Sequence, residues 1–400
     1  MIFTSLKHVA IAVSTLAAMY IGLLGLLTTP WFQAHVVYLH AISMTWFKDL
    51  NVPEVFGFLH NQVTPLNIQS GAPETLYTLH TLPVELYRQH EDELLAQPSG
   101  FVKDWESRLT FRLLLDGSDA RLVIHFHDAG GTVGSGYRTP NYRAVSAGQP
   151  DKIHVLTFDY RGFGRTPGTP TEEEIITDAL AVVNWALNVA SIPPSRILIF
   201  SQSLGTAVNT AVAEHYALQI PAVIAGTIPI LGPLTKIPLV FDYLRSFIRD
   251  KWSTNTRTAS YVRASEVSGS RYRVTIIHAE DEYDIPWRHT PVVFWHAISG
   301  TLLDGLDGYE YVHQMKSKIR KDLGAAGSVV EWKTEHGIIR EEILKHGLHD
   351  LVMGSRAPQS CHLQLCVSLA EDAAILEVSA CIYSHIIHFP LPAMDHESQT

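Results

Sequence analysis

The stretch ILIFSQSLGTAV, Ile197 to Val208, runs four apolar residues into Ser-Gln-Ser-Leu-Gly and then resumes with helix-compatible residues. Two readings fit it. One is an ordinary strand-to-helix loop. The other is a tight elbow in which Ser203 stands on a strained turn, its hydroxyl pushed out beyond the strand. Ser-x-Ser-x-Gly alone is common by chance. Its position directly between the apolar run Ile197–Phe200 and a helical stretch favours the elbow.

The surroundings repeat the same rhythm. NQVTPLNIQSGAPETLYTLHTLP reads as two short strands, about 62–69 and 75–82, around a Ser-Gly-Ala-Pro turn, and RLTFRLLLDG reads as a further strand closed by Asp-Gly. ARLVIHFHD and KIHVLTFDYRG are apolar strands, and PTEEEIITDALAVVNWALNVA is an amphipathic helix opened by Pro170 and a Thr171–Glu174 capping box. SRILIFS is a strand, LGTAVNTAVAEHYAL a helix, PAVIAGTIPI and YRVTIIHAE strands, and GSVVEWKTE the last expected strand. Continuous apolar strands separated by helices predict a mostly parallel sheet covered on both faces. Ligands of such sheets sit beyond the carboxyl ends of the strands. The polar groups gather where the strands stop: His127-Asp128, Asp159-Tyr160-Arg161, Ser201 to Ser203, and His278 to Asp284.

Composition narrows the function classes. The 400 residues are 46% apolar and 18% charged, enough for a large core and too apolar for a disordered chain. Thirty Lys and Arg against 40 Asp and Glu give a net charge of −10, and no basic block suggests a nucleic-acid partner. The three cysteines all lie in the last 40 residues, so no disulfide framework is expected. No His-Glu-x-x-His and no paired Cys-x-x-Cys occurs, and GGTVGSG lacks the Lys-Ser/Thr of a phosphate loop; neither metal nor nucleotide is expected.

The N-terminus has its own signal. No Asp, Glu, Lys or Arg occurs from His8 to Phe47. VAIAVSTLAAMYIGLLGLLTT would cover about 30 Å as a helix, the thickness of a bilayer core. PWFQAHVV follows where a signal peptide would offer a small-x-small cleavage site, and Trp31 and Phe32 suit a membrane interface, so an uncleaved anchor is expected. Lys7 on one side and distant Lys48 on the other favour the expectation of a cytosolic amino terminus and a lumenal or extracytoplasmic body.

An acyl-transfer serine needs a base within reach and backbone N–H groups near the developing oxyanion. In the order Ser, acid, His, the downstream candidates are the acidic cluster of IIHAEDEYDIPW and the late segment HGLHDLVMG. HFHDAGG, FDYRGFGRTPGTPTEE, SQSLGTAV, IIHAEDEYDIPW and HGLHDLVMG, in this order, resemble the α/β-hydrolase superfamily. More narrowly, they are similar to membrane-anchored monoacylglycerol and lysophospholipid lipases of the α/β-hydrolase-domain-twelve group, in the fungal form, over roughly residues 50–354. The resemblance implies Ser203 as nucleophile, His349 as base and, from the spacing of His278 and Pro286, Glu282 as acid, with Asp281 the alternative and Asp284 the third choice. It implies Leu204 and Ala129 N–H as oxyanion donors, no cofactor, a lipid-ester substrate, and a single-pass protein of the endoplasmic reticulum with a lumenal catalytic domain.

Three departures accompany it. Ser201 stands where the pattern has Gly, Asp128 stands where it has the Gly of a His-Gly pair, and Glu282 replaces Asp. The competing expectation is therefore a catalytically impaired, hydrolase-like protein that binds lipids or a partner. The expected organisation is an anchor over 1–33, a linker over 34–60, and an α/β-hydrolase domain over 61–354. Within that domain, a lid or packing helix is expected over about 229–266. A tail over 355–400 lacks a sustained helical period and could leave part of the sheet uncovered. Nothing in the sequence fixes an oligomeric state.

Overall fold

The structure, a computed structural model, describes residues 2–71, 74–218, 249–282, 287, 290–302, 309–348 and 377–380. Strands β1 (Val63–Gln69) and β2 (Thr75–Thr81) form an antiparallel hairpin at one edge. Next come β3 (Arg121–Phe126), β4 (Ile153–Phe158) and β5 (Ile197–Ser201), parallel to one another, in the order β1-β2-β4-β3-β5. A second sheet contains β6 (Tyr272–Ala279), β7 (Lys321–Asp322), β8 (Ser328–Lys333) and β9 (Gly337–Leu344), ordered β6-β9-β8-β7. The short strand β10 (Glu377–Ala380), from the tail, pairs parallel with β5 and packs beside β6, filling the place between the two sheets. The expected strand 221–230 and residues 229–248 of the expected lid lie outside the described residues.

The apolar strands are buried on both faces, as their uninterrupted hydrophobic runs require. Along β3, Leu122, Ile124 and Phe126 join one core cluster and Val123 joins another across the sheet. The helices among the described residues include α1 (Ile2–Leu27), α2 (Pro30–Tyr38), α3 (Leu109–Asp116), α4 (Arg138–Ser146), α5 (Glu172–Asn184), α6 (Leu204–Leu218), α7 (Thr254–Ser268), α8 (Thr290–Thr301) and α9 (Tyr309–Ile319). Thr171 caps α5 as its sequence predicts: the hydroxyl accepts from the Glu174 N–H at 3.3 Å and donates to the Glu174 carboxylate at 3.0 Å. α6 follows β5 directly and packs between α5 and α7. Residues 254–266 of the expected lid are thus part of α7, which buries Tyr261 and Val262 against α8.

Three expectations are corrected. RLTFRLLLDG is the helix α3, not a strand, with Phe111 and Leu114 buried one helical turn apart. A short apolar run cannot be told from a buried helix by periodicity alone, and its leucines favour helix. Second, GSVVEWKTE is not the last strand, because β9 follows it and pairs parallel with β6. The charges in GIIREEIL hide β9, yet Glu341 is buried against Lys316 and Arg340 pairs with Glu331 and Glu342. Third, residues 34–60 are no linker. Ala34 and Tyr38 sit in the main core cluster; the Tyr38 hydroxyl donates to Asp250 at 2.7 Å, and Gln33 accepts from the Arg249 N–H at 3.0 Å. Ahead of α2, the stretch Lys7–Leu27 of α1 has a mean hydropathy of 2.1 and is long and apolar enough to cross a membrane; only Leu27 at its end is buried.

His80, His125, His127 and His154 are buried in or beside β2, β3 and β4, and His278 is buried in β6. Burial pushes the His80 and His125 imidazoles down to about 3, with Arg138 adding to the effect at His125. A folded-state value below the ordinary 6.5 means that the unfolded chain binds the proton first, so stability falls as pH drops from 6.5 towards 3. Both ring nitrogens of His125 lack a hydrogen-bond partner among the described residues. His125→Leu should therefore leave stability at neutral pH unchanged or higher, and flatten its acid decline by about 1.4 kcal/mol per pH unit. Urea unfolding of both proteins between pH 7 and pH 5 checks this; parallel pH profiles would reject it.

Candidate functional site

The carboxyl ends of β3, β4, β5 and β6 carry the four polar groups singled out by sequence. At the end of β5 the chain turns sharply into α6, and Ser203 at the turn has φ +50°, the left-handed region that an L-residue enters only under constraint. The constraint is visible next door. The Gln202 N–H donates to the Phe126 carbonyl at 3.0 Å, tying the turn to the end of β3. A Cβ on Gly205 would lie 2.1 Å from the same carbonyl oxygen and 2.9 Å from that of His127. Only glycine lets the start of α6 settle against this backbone. Ser203 is buried at 4% exposure, and Leu204, whose N–H is the first candidate oxyanion donor, begins α6. Ser201, the first departure, is accommodated: its hydroxyl accepts from Asn209 of α6 at 3.0 Å, across the gap that the turn spans.

The second candidate donor, Ala129, lies in the loop after β3, and the structure explains the second departure. Arg138, buried at the start of α4, donates from Nε to the Asp128 carboxylate at 2.8 Å. Its other nitrogens reach the carbonyls of Thr132 at 2.5 Å, Asp128 at 3.1 Å and Gly130 at 2.5 Å. One guanidinium therefore holds the backbone on both sides of Ala129. The carboxylate that seemed out of place in the loop is its ion-pair partner. Asp128 keeps the Arg138 guanidinium charged against the penalty of burial. Sequence reasoning missed Arg138; the available signal was an arginine ten residues beyond an unexpected Asp in a glycine-rich loop.

Asp159, at the end of β4, ties the same loop to its neighbour. It accepts from the Val133 N–H at 2.7 Å and the Arg165 N–H at 3.1 Å. Burial raises its carboxyl to about 6, against the pull of those two N–H groups and Arg138. Arg161 pairs with buried Asp178 at 3.0 Å, and Asp178 also accepts from Ser70 at 2.6 Å. His127 is fully buried and held neutral, because burial pushes its imidazole well down and Arg138 reinforces that.

The acids diverge. Asp281 accepts from the N–H groups of Gly347 at 3.0 Å and Leu348 at 2.9 Å, and His346 Nδ1 lies 3.2 Å from its other oxygen. Partial burial pushes its carboxyl up, but the Leu348 N–H and then the His346 and Gly347 contacts outweigh this and hold it below the ordinary value. Asp281 thus clasps the backbone immediately before His349. Glu282, the next residue, is buried at 6% exposure, and His278 bonds to Thr290 at 2.7 Å. His349, Asp284 and Pro286 lie outside the described residues. Among the described residues no cluster of His, Cys, Asp and Glu suits a metal ion.

Residues 122–313 match the model of the alpha/beta hydrolase family. The chain is 28% identical over 276 residues to the lysophosphatidylserine lipase ABHD12 of Danio rerio, covering 65% of this chain and 64% of that protein. It is 26% identical over 271 residues to the lysophosphatidylserine lipase ABHD12 of Gallus gallus, covering 64% of each. A solved alpha-beta hydrolase from Vibrio vulnificus aligns over 84% of this chain and 93% of its own, at 12% identity and a TM-score of 0.47. The chain carries the α/β-hydrolase fold and resembles the ABHD12 group; the match spans 64% of the length of those curated relatives.

The Arg138–Asp128 pair generates a test by asymmetric deletion. Arg138→Met strands a partly buried carboxylate and several carbonyls, and should cost about 3–5 kcal/mol in urea unfolding. Adding Asp128→Asn to that variant should recover at least about 1 kcal/mol, because the uncompensated charge is gone. Strict additivity of two losses would reject the pairing as the loop's support.

Proposed function

We propose that this chain is a serine hydrolase that cleaves carboxylic esters of lipid-like substrates, monoacylglycerols or lysophospholipids, through an acyl-enzyme on Ser203. The observation that carries the reading is the left-handed backbone of Ser203 at a strand-to-helix turn, packed through Gly205 onto the loop that holds Ala129. An unsupported loop has no need of that strain; a nucleophile that must stand clear of its sheet does.

In this mechanism the Ser203 hydroxyl oxygen attacks the ester carbonyl while His349 takes its proton. The Leu204 and Ala129 N–H groups receive the developing oxyanion, and His349 returns the proton to the departing alcohol. Water, deprotonated by His349, then attacks the acyl-enzyme and releases the fatty acid. Glu282 orients the imidazole and stabilises its charged form. The hydrogen bonding of Asp281 supports this division between the acids. Its carboxylate already receives two backbone N–H groups of the His349 segment, while buried Glu282 suits the inner position. No cofactor enters these steps.

The apolar helix α1 would keep the enzyme at a membrane, where acyl substrates partition, as a single-pass protein of the endoplasmic reticulum with a lumenal catalytic domain. The activity named for the zebrafish and chicken relatives makes lysophosphatidylserine the first substrate to assay beside monoacylglycerol.

The test uses the full chain in membranes and a fluorophosphonate probe. Wild type should label, Ser203→Ala should not, and Ser203→Ala should lower ester turnover by about 10⁴-fold or more. Equal labelling of the two proteins would end the hydrolase reading and leave a lipid- or partner-binding protein on a hydrolase scaffold.

A further inference from the structure

Between the helix α2 and Lys48 runs a nine-residue loop, Leu39 to Phe47, whose side chains are arranged against the usual rule for a soluble surface. Ile42 is 44% exposed, Met44 47%, Trp46 64%, and Phe47 fully so. No charged residue interrupts the loop. Three of its residues, Leu39, Met44 and Phe47, hold positive φ of 50°, 52° and 68° without being glycine. Strain of this kind persists only where the surroundings over-determine it.

The surroundings that hold it belong to the loop carrying Ala129. The Gly130 N–H donates to the Tyr38 carbonyl at 2.7 Å, the Gly131 N–H donates to the Ile42 carbonyl at 2.6 Å, and the Ser135 hydroxyl donates to the Ser43 carbonyl at 2.7 Å. The backbone of 39–47 is therefore bonded inward to 130–135; Met44 lays its methyl end against Gly131, while Ile42, Trp46 and Phe47 are exposed. At its other end the loop is fixed by α2, which is itself docked through Tyr38 and Gln33.

We propose that residues 39–47 are a second membrane contact, seated in the interfacial layer of the bilayer beside α1. The occupant follows from continuity. The apolar span of α1 ends at Leu27, α2 starts at Pro30, and a nine-residue helix covers only about 14 Å, so the loop is tethered near the bilayer surface. Exposed tryptophan and phenylalanine with neighbouring Ile and Met, and no Asp, Glu, Lys or Arg among them, match the chemistry of the interface between headgroups and acyl chains. A charged protein surface offers them no counterpart. The consequence for the site, which rests on the hydrolase reading, is that the Ala129 loop is held one hydrogen-bonded layer from the lipid surface. An ester carbonyl could then reach it without its acyl chain crossing water.

The experiment uses the full chain reconstituted in phosphatidylcholine vesicles. The emission of Trp46 is obtained as the difference between wild type and Trp46→Phe, which keeps an aromatic ring and leaves the other tryptophans in both samples. The proposal expects this difference emission to lose most of its intensity when the vesicles contain lipid brominated near the carbonyl end of the acyl chain, and to resist aqueous iodide. Quenching by iodide with no response to brominated lipid would overturn it, and the same loop would then face water. The readout needs no turnover. A chain that fails to label at Ser203 yet shows quenching by bromine would lose its hydrolase reading and keep its second membrane contact.

Discussion

The carbonyl oxygen of Phe126 is the point on which the candidate site turns. It receives the Gln202 N–H and leaves no room for a side chain at Gly205, so β5 can enter α6 only through the left-handed backbone at Ser203. That single close approach does two jobs. It pushes Ser203 off the strand, and it fixes the start of α6 beside the loop that follows β3, so that the two candidate N–H donors come from neighbouring backbones. The free energy behind the strain comes from the sheet itself, because β3 and β5 are adjacent parallel strands buried on both faces.

Around this point the loops are held by buried charge as well as by the packing of Ala129 and Val133 on the core. Arg138 and Asp159 both bond to the 128–135 segment, one through carbonyl oxygens and one through the Val133 N–H. Burying ions is costly, and such pairs give little net stability over an apolar alternative. What they give here is position: each fixes a backbone group near Ala129 that an apolar side chain could not hold. The loop 39–47 extends the same network outward, so the polypeptide leaving the apolar helix α1 is bonded to the candidate oxyanion loop.

Legibility in the sequence followed the strength of the local signal. β3, β4, β5, the Thr171 cap and the elbow at Ser203 were readable because uninterrupted apolar runs and a capping box leave few alternatives. α3 reads equally well as a strand, because Leu-rich runs of eight to ten residues satisfy either period. β9 was overlooked because its buried glutamates look like surface residues until Lys316 and Arg340 are seen beside them. The packing of 34–60 could not be read at all, since the partners of Tyr38 lie more than 200 residues away in Asp250 and Trp252. Asp128 looked like a defect in the sequence; with Arg138 against it, it is part of the loop's support.

By itself the sequence determined the fold class, the strand-to-helix turn at Ser203 and the apolar N-terminal helix, because each rests on residues close together in the chain. Tertiary structure alone decided which acid clasps the segment before His349, how an Asp is tolerated beside Ala129, and where the chain after α1 docks. Those outcomes depend on hydrogen bonds and ion pairs between residues that become neighbours only once the sheet has formed, and no local pattern encodes the distance between them.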